Sequence, residues 1–280
     1  MPLIDFILNL AGLLLWLNWC SAGFDSPVRT PATLVGTLRK ADPAGPRRWR
    51  FLAALLGLLV CRAWIYGVIG PAVNWTPSLD LGFITLSFRG DHPRIMLLFS
   101  FLSFGLALGV FYLWLLLLSL LNRRVPDTDP LQKLVRLHLG WVEGWPIPLK
   151  ALLPFLLGGL VWLALHPLLS FVSVIPAARS PAQLLEQAAF LGVATYLAWK
   201  YLIVAVLFLH LLNSYVFLGH HPVWNFVNAT ARSLLLPLRW VPLRVGPIDF
   251  SPLVGIALVF LVGEAASRLP LTGFYKFLPF

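Results

Sequence analysis

Three ionisable residues lie inside long apolar stretches of this sequence: Arg62, Lys200 and Glu264. A charge at membrane depth costs a few kcal/mol or more, so such residues are functional candidates by default. At ~1.5 Å per helical residue, their predicted depths from the cytoplasmic helix ends are ~17, ~24 and ~20 Å respectively. A pair between Glu264 and either cation would offset much of the burial cost. We interpret these charges as forming such a buried ion pair, whose role is to fix helix packing. The alternative is an ion or proton path.

Six apolar stretches must position these charges, at residues 3–20, 51–71, 95–121, 150–170, 187–216 and 252–267. Most approach or exceed the ~20 residues that cross ~30 Å of hydrocarbon. A composition of 59% hydrophobic against 11% charged residues is too apolar for a soluble domain of 280 residues. The stretches lack the alternation of barrel strands, so they should be helices. The predicted fold class is all-α, a polytopic protein of about six transmembrane helices in a single membrane domain, 1–280.

The basic residues of the loops predict an orientation. The first, third and fifth loops carry six, five and three Lys or Arg residues, against two and one in the second and fourth. We expect an inner (plasma) membrane protein, and the positive-inside bias predicts that both termini lie on the non-cytoplasmic side. No aromatic-basic RNA motif accompanies these charges, so nucleic acid is not an expected partner. Asp5 stands where a signal peptide has basic residues, so the first stretch is expected to remain.

The sequence suggests a recurring unit. It consists of an apolar helix ending in Leu-Asn, a loop with proline, a short amphipathic segment, a basic loop and a second apolar helix. The units cover approximately residues 1–71, 95–170 and 186–267, with an outer loop at 72–94 that is expected to form a short hairpin or interfacial turn. The Leu-Asn pairs are Leu17-Asn18, Leu121-Asn122 and Leu212-Asn213. The alternative is that the pairs recur by chance in a leucine-rich chain.

The amphipathic segments are predicted to be short helices in the headgroup layer. In the second unit Leu131, Leu134, Val135 and His138 share one helical face, and Gln132 falls elsewhere on the wheel. The third unit has Val223, Phe226, Val227 and Thr230 at the same spacing, and the first has Leu34, Val35 and Leu38 more weakly. Basic residues of these segments should face anionic lipid: Arg39, Lys40, Lys133, Arg136 and Arg232.

The third unit contains the most specific string, which runs from residue 236 to 252 and predicts a return into the membrane. Ser251 is expected to cap the sixth helix, Pro252 suits its first position, and Asp249 lies near the positive end of its dipole. Gly246 and the prolines before it predict a tight turn close to the bilayer.

In this string the chain resembles the YggT family of bacterial and plastid membrane proteins, which are built on helix pairs. The matching residues are Pro237, Leu238, Arg239, Gly246, Ile248, Asp249, Phe250, Ser251 and Pro252, within roughly residues 196–267. A third helix pair departs from the one or two pairs that are typical of the family. The resemblance implies an association with cell-division gene neighbourhoods, envelope homeostasis, haem attachment to cytochrome b or nucleoid organisation. It implies no catalytic residue.

Gly105 and Gly109 form a GxxxG in the third stretch and predict helix packing, inside the protein rather than at a dimer face. No Walker loop, nucleophile elbow, HExxH or dinucleotide glycine pattern occurs, so we do not expect an enzyme, and no cofactor or metal site is predicted.

The leading hypothesis is a non-catalytic membrane scaffold, accessory subunit or assembly factor with a membrane-protein partner. A small ion or solute transporter that uses Arg62, Lys200 and Glu264 is the alternative. Haem handling, which rests on family analogy, is the third.

Overall fold

A computed structural model describes residues 2–24, 45–73, 76–82, 84–88, 90, 92–122, 129–216, 221–241, 243–245 and 248–268. Its α-helices are α1 Pro2–Phe24, α2 Gly45–Val73, α3 Pro93–Leu121, α4 Pro130–Leu139, α5 Ile147–Phe171, α6 Pro181–Ala194, α7 Ala198–Tyr215, α8 Pro222–Leu234 and α9 Ser251–Arg268. Short strands are β1 Ser78–Asp80, β2 Thr85–Ser87, β3 Arg244–Val245 and β4 Ile248–Asp249. Single 3₁₀ turns occupy Gly140–Gly144, Thr195–Leu197 and Leu236–Trp240.

The prediction of an all-α polytopic membrane protein is confirmed by helix length and composition. Five described segments are long and apolar enough to cross a bilayer: Leu3–Ala22, Arg48–Gly70, Pro93–Leu121, Ile147–Phe171 and Pro181–Tyr215. The sixth predicted span forms α9, whose apolar part, Ser251–Ala266, is shorter than these five. The long helices are apolar around their circumference, as lipid-embedded helices are, whereas α4 and α8 have one polar side.

The chain divides into two compact units. The first consists of Met1–Leu79 and Ser87–Gly109. Here α1 packs along α2, around a core of Leu55, Leu59 and Phe104. Gly12 lets α1 approach closely, because a Cβ at this position would lie 2.8 Å from the Phe104 ring.

The second unit consists of Asp80–Leu86 and Val110–Phe280. Its closest helix contact joins α5 to α6 through glycines. A Cβ on Gly192 would lie 2.6 Å from the backbone oxygen of Phe155, and one on Gly158 would lie 2.1 Å from Thr195 Oγ1. Such small-residue contacts let helices associate where lipid removes the hydrophobic drive between them.

In the same unit, α7 packs along α9, and α8 lies against α7. The α7–α8 core consists of Val206, Leu207, Val227, Ala231 and Leu235. The predicted face of α8 is confirmed, since Phe226, Val227 and Thr230 are buried, but it packs on protein and not on lipid.

The predicted face of α4 is partly wrong. Gln132, which was expected on the polar side, is 0% exposed, and it is buried with Val135 and Leu139. Leu134, expected on the apolar side, is 42% exposed. The physical reason is the direction in which α4 packs. Val135 and Leu139 contact Leu115 and Leu116 of α3, which leaves Leu134 on the outer side of the helix. The corresponding segment of the first repeat, with Leu34, Val35 and Leu38, lies outside the described residues, as do Arg39 and Lys40.

Strands β1 and β2 form a two-stranded sheet, which confirms the hairpin expected in the outer loop. Within the turn, the Gly82 N–H donates to Asp80 Oδ1 at 2.8 Å, and Gly82 adopts a φ of +92° that favours glycine. The threefold repeat and the single membrane domain stay predictions from the sequence.

Candidate functional site

An ion pair with a buried arginine joins α1 to α2 in the first unit. Arg62 is 1% exposed, and its Nη2 donates to Asp5 Oδ1 at 2.7 Å and to Ser103 Oγ at 2.9 Å. Its Nη1 donates to Asn9 Oδ1 at 2.7 Å. The guanidinium therefore joins three helices, because Asp5 and Asn9 lie on α1, Arg62 on α2 and Ser103 on α3.

Aromatic side chains complete the surroundings of this guanidinium. The rings of Tyr66 and Phe99 each have their centre 5.4 Å from Arg62 Cζ, within the range of cation–π attraction. Tyr66 also donates its hydroxyl to Asp5 Oδ1 at 2.5 Å, and Asn9 Nδ2 donates to Ser103 Oγ at 3.1 Å. We call this set, Asp5, Asn9, Arg62, Tyr66, Phe99 and Ser103, the arginine network.

Each helix contributes a pair of residues four positions apart, and such pairs share a face. The pairs are Asp5 with Asn9, Arg62 with Tyr66, and Phe99 with Ser103. This spacing is the signal that sequence reasoning missed. The predicted partnership of Arg62 with Glu264 is wrong, since the carboxylate that binds Arg62 belongs to Asp5.

Lys200 and Glu264 lie on α7 and α9, which pack together. The Lys200 ammonium stands 4.7 Å from the centre of the Phe260 ring. Its side chain packs over Gly263, where a Cβ would lie 3.1 Å from Lys200 Cδ. A Lys200–Glu264 pair stays a prediction.

The string that resembles YggT proteins forms a small turn before α9. Strands β3 and β4 pair antiparallel, with Arg244 opposite Asp249 and Val245 opposite Ile248. Ser251 was expected to cap α9, but it is the first helical residue, and Asp249 Oδ1 accepts the Ser251 N–H at 2.9 Å. Asp249 therefore satisfies one of the unpaired N–H groups at the helix start, and Pro252 stands at the second helical position.

The other residues of this string lie just upstream. Pro237, Leu238 and Arg239 form the 3₁₀ turn Leu236–Trp240, in which the Leu238 N–H donates to Leu235 O at 3.0 Å. The Phe250 N–H donates to Leu243 O at 3.1 Å, which ties the start of α9 back to the chain before β3. Gly246 lies outside the described residues.

The asparagine of the second Leu-Asn pair bonds to α8. Asn122 Nδ2 donates to Thr230 Oγ1 at 2.7 Å, and Thr230 donates in turn to Phe226 O at 2.8 Å. Asn122 is 1% exposed and Thr230 0%. This bond fixes the end of α3 to the middle of α8.

A polar cleft lies where α3 ends and α5 begins. Lys150, 6% exposed, donates from Nζ to Ser119 Oγ at 2.9 Å and to Glu143 Oε2 at 3.2 Å. Ser119 donates its hydroxyl to Glu143 Oε2, and Arg136 Nε is 3.7 Å from Glu143 Oε1. Of these four residues, the sequence had singled out only Arg136. We call them the cleft residues.

Other predicted site residues have simpler surroundings. Lys133 and Arg232 are exposed, as a headgroup-facing role requires. Gly105 and Gly109 were expected to pack inside the protein, but a Cβ on either would meet no atom of the described residues within 4 Å. The two glycines lie on the exposed side of α3, because Ser100, Ser103 and Phe104 occupy its buried side. Among the described residues, no group of three or more His, Cys, Asp or Glu is arranged to hold a metal ion.

Comparison with known proteins places one part of the chain. Residues 188–269, which run from within α6 to the end of α9, match the family described as CCB3/YggT. No curated protein and no solved structure matches the chain. The predicted resemblance is therefore confirmed: the segment that contains α7, α8, α9 and the Asp249 turn matches this family, and we call it the CCB3/YggT region.

Proposed function

We propose that this protein is a non-catalytic scaffold of the membrane, acting as an accessory subunit or assembly factor of a larger membrane complex. The observation that carries the proposal is the arginine network. A cation on an ion path must exchange partners with water or with the transported ion. Arg62 instead is 1% exposed, and its terminal nitrogens donate to three side chains of the protein itself. This arrangement supports a role in holding helices together.

The CCB3/YggT region supplies surface for a partner. Tyr201 and Phe208 on α7 are 68% and 50% exposed, and Leu261 and Val262 on α9 are 66% and 64% exposed. Within a bilayer such side chains contact either lipid or another membrane protein. We place the partner against α9, because the family string ends at the start of this helix and fixes its position.

Site-specific photo-crosslinking tests the docking. A photoreactive phenylalanine analogue at Leu261 should give one discrete heterologous product in native membranes. The same analogue at Leu207, which is 2% exposed, is the control and should give none. The scaffold proposal also requires that assembly of the captured protein's complex decreases in cells that lack this chain. Crosslinks to lipid alone, or a partner complex that assembles normally without the chain, would count against it.

A small transporter is the second candidate, and the position of Lys200 is the observation that favours it. This half-buried ammonium lies where α7 packs on α9, against the Phe260 ring, and Glu264 follows Phe260 by one helical turn. Flux through proteoliposomes distinguishes the candidates. A flux that Glu264→Gln abolishes, in protein that still assembles, would support transport and contradict the scaffold. An absorption spectrum of the purified protein tests haem handling on the same sample.

We further infer that the protein lies in the inner (plasma) membrane of a bacterial cell with both termini on the non-cytoplasmic side. The distribution of Lys and Arg among the loops supports this orientation. A reporter that is active only in the cytoplasm, fused after Phe280, should be inactive, and the same reporter inserted in the third loop should be active.

A further inference from the structure

The polar cleft of the second unit is a preformed polar site that the proposed scaffold function does not use. It encloses about 130 Å³ and is lined by the four cleft residues together with Trp145 and Ile147. A single water needs about 10–15 Å³ of such space, so the cleft has room for a group of several heavy atoms. We propose that the cleft binds the phosphate of a membrane phospholipid headgroup.

The hydrogen-bond capacity of Lys150 points to an oxygen-rich anion. An ammonium group has three N–H donors, and Ser119 and Glu143 use two of them. The third donor is available to a ligand in the cleft. Because Lys150 is only 6% exposed, its ammonium is held at the cleft wall and gives a charged hydrogen bond at low cost in side-chain freedom.

The charge of the cleft also fits a phosphodiester. Arg136 and Lys150 contribute two positive charges, and Glu143 contributes one negative charge. The phosphodiester of a phospholipid carries one negative charge, which suits a cleft lined by these two cations. Glu143 meanwhile holds the two cations in place without a ligand, since it contacts both.

The level of the cleft selects a lipid as the source of the phosphate. Ser119 lies in the last turn of the span Pro93–Leu121, and Ile147 is the first residue of the span Ile147–Phe171. The cleft is therefore at the end of two apolar spans, where headgroups lie. Ile147 is 48% exposed and Trp141 is 86% exposed, so apolar surface for acyl chains lies nearby. The N-terminus of α5 adds the positive end of a helix dipole.

Native mass spectrometry of the full-length, delipidated protein tests the site. The probes are dioleoylphosphatidylglycerol, dioleoylglycerol with the same chains but no phosphate, and inorganic phosphate. The phospholipid should be retained, and it should raise the melting temperature in detergent. Dioleoylglycerol and inorganic phosphate at the same concentration should do neither.

Variants locate the binding in the cleft. Lys150→Met should weaken retention of the phospholipid by roughly tenfold, the factor expected for one charged hydrogen bond. Arg94→Met removes an exposed cation from the start of α3, outside the cleft lining, and is the control, with retention unchanged within about twofold. Since Lys150→Met leaves Glu143 with less compensation, the double variant Lys150→Met/Glu143→Gln is measured beside it and should show the same loss. Ser119→Ala keeps both the Lys150 ammonium and its ion pair with Glu143, so it should reduce retention less than Lys150→Met does.

Three results would overturn the proposal. Equal retention of dioleoylglycerol would mean that only acyl chains are bound. Stabilisation by inorganic phosphate equal to that by the phospholipid would make the cleft a site for free anions. Equal losses in Lys150→Met and Arg94→Met would mean that lipid is held by general surface charge.

Discussion

Asp5→Asn should destabilise the first unit more than any other single removal of a carboxylate in the described part of the chain. The substitution keeps the shape of the side chain and removes its charge. Arg62, which is 1% exposed, would keep Asn9 and Ser103 as acceptors but would lose its only described anionic partner, 2.7 Å away. Tyr66 would donate to a neutral oxygen instead of a carboxylate.

The expected magnitude follows from the geometry of the pair. Removing one partner of a buried ion pair costs about 3–5 kcal/mol, because the other charge stays buried. Two features lower this figure here. The side chain of Asp5 is 21% exposed, so water reaches it, and two neutral oxygens continue to bind the guanidinium. We therefore expect a loss of about 2–3 kcal/mol in the free energy of unfolding.

Unfolding in mixed micelles of mild detergent and dodecyl sulfate, followed by far-UV circular dichroism, measures this loss. Glu186→Gln, on the exposed side of α6, is the matched control and should change the free energy by less than about 0.5 kcal/mol. In a double-mutant cycle, Asp5→Asn combined with Arg62→Met should be less destabilising than the sum of the two by at least ~1 kcal/mol. Additive effects, or an Asp5→Asn protein as stable as its parent, would refute the claim that the arginine network stabilises this unit.

Three further substitutions probe the second unit and the family string. Gly192→Leu should lower the free energy of unfolding by well over ~1 kcal/mol or prevent folding, since its Cβ would overlap a backbone oxygen. Gly105→Leu, whose Cβ meets no described atom, should be tolerated. The yield of detergent-resistant monomer compares the two variants. Asp249→Ala should cost about 0.5–2 kcal/mol in the same unfolding assay, because α9 loses a capping bond, and an unchanged value would contradict this role. Thr230→Val keeps volume but leaves the buried amide of Asn122 without its acceptor, for a loss of about 1–3 kcal/mol, whereas a neutral result would mean that water replaces the hydroxyl.

Apolar length and composition predicted the fold class because each spanning helix satisfies its own backbone, so a local signal is sufficient. The string around Asp249 was predictable for a related reason, since turn and cap chemistry depend on residues close in sequence. Even there, the capping residue was misplaced by two positions, because the pattern of Asp249, Ser251 and Pro252 fits a cap at either the acidic or the hydroxyl residue.

Partners across helices were not predictable in the same way. Arg62 was recognised as a costly charge, but its partner depends on which helix packs against α2 and in which direction. Asp5 was interpreted only as evidence against a signal peptide. Together with Asn9, four residues later, it places two acceptors on one helix face. Gln132 illustrates the opposite failure: a single helical wheel does not show which side of α4 packs against the rest of the protein, and Gln132 lies on that buried side.

The two units solve the same physical problem by different means. Lipid tails are as apolar as leucine, so apolar burial gives membrane helices little reason to prefer one another to lipid. Polar bonds or unusually close packing must supply the preference. The first unit relies on the charge of Arg62 and Asp5, and the second brings α5 and α6 together through Gly158 and Gly192. Loss of the Asp5 charge should therefore weaken the first unit selectively, and added side-chain volume at Gly192 the second. Hydrogen exchange resolved by helix would show each change in the protection of one unit's helices.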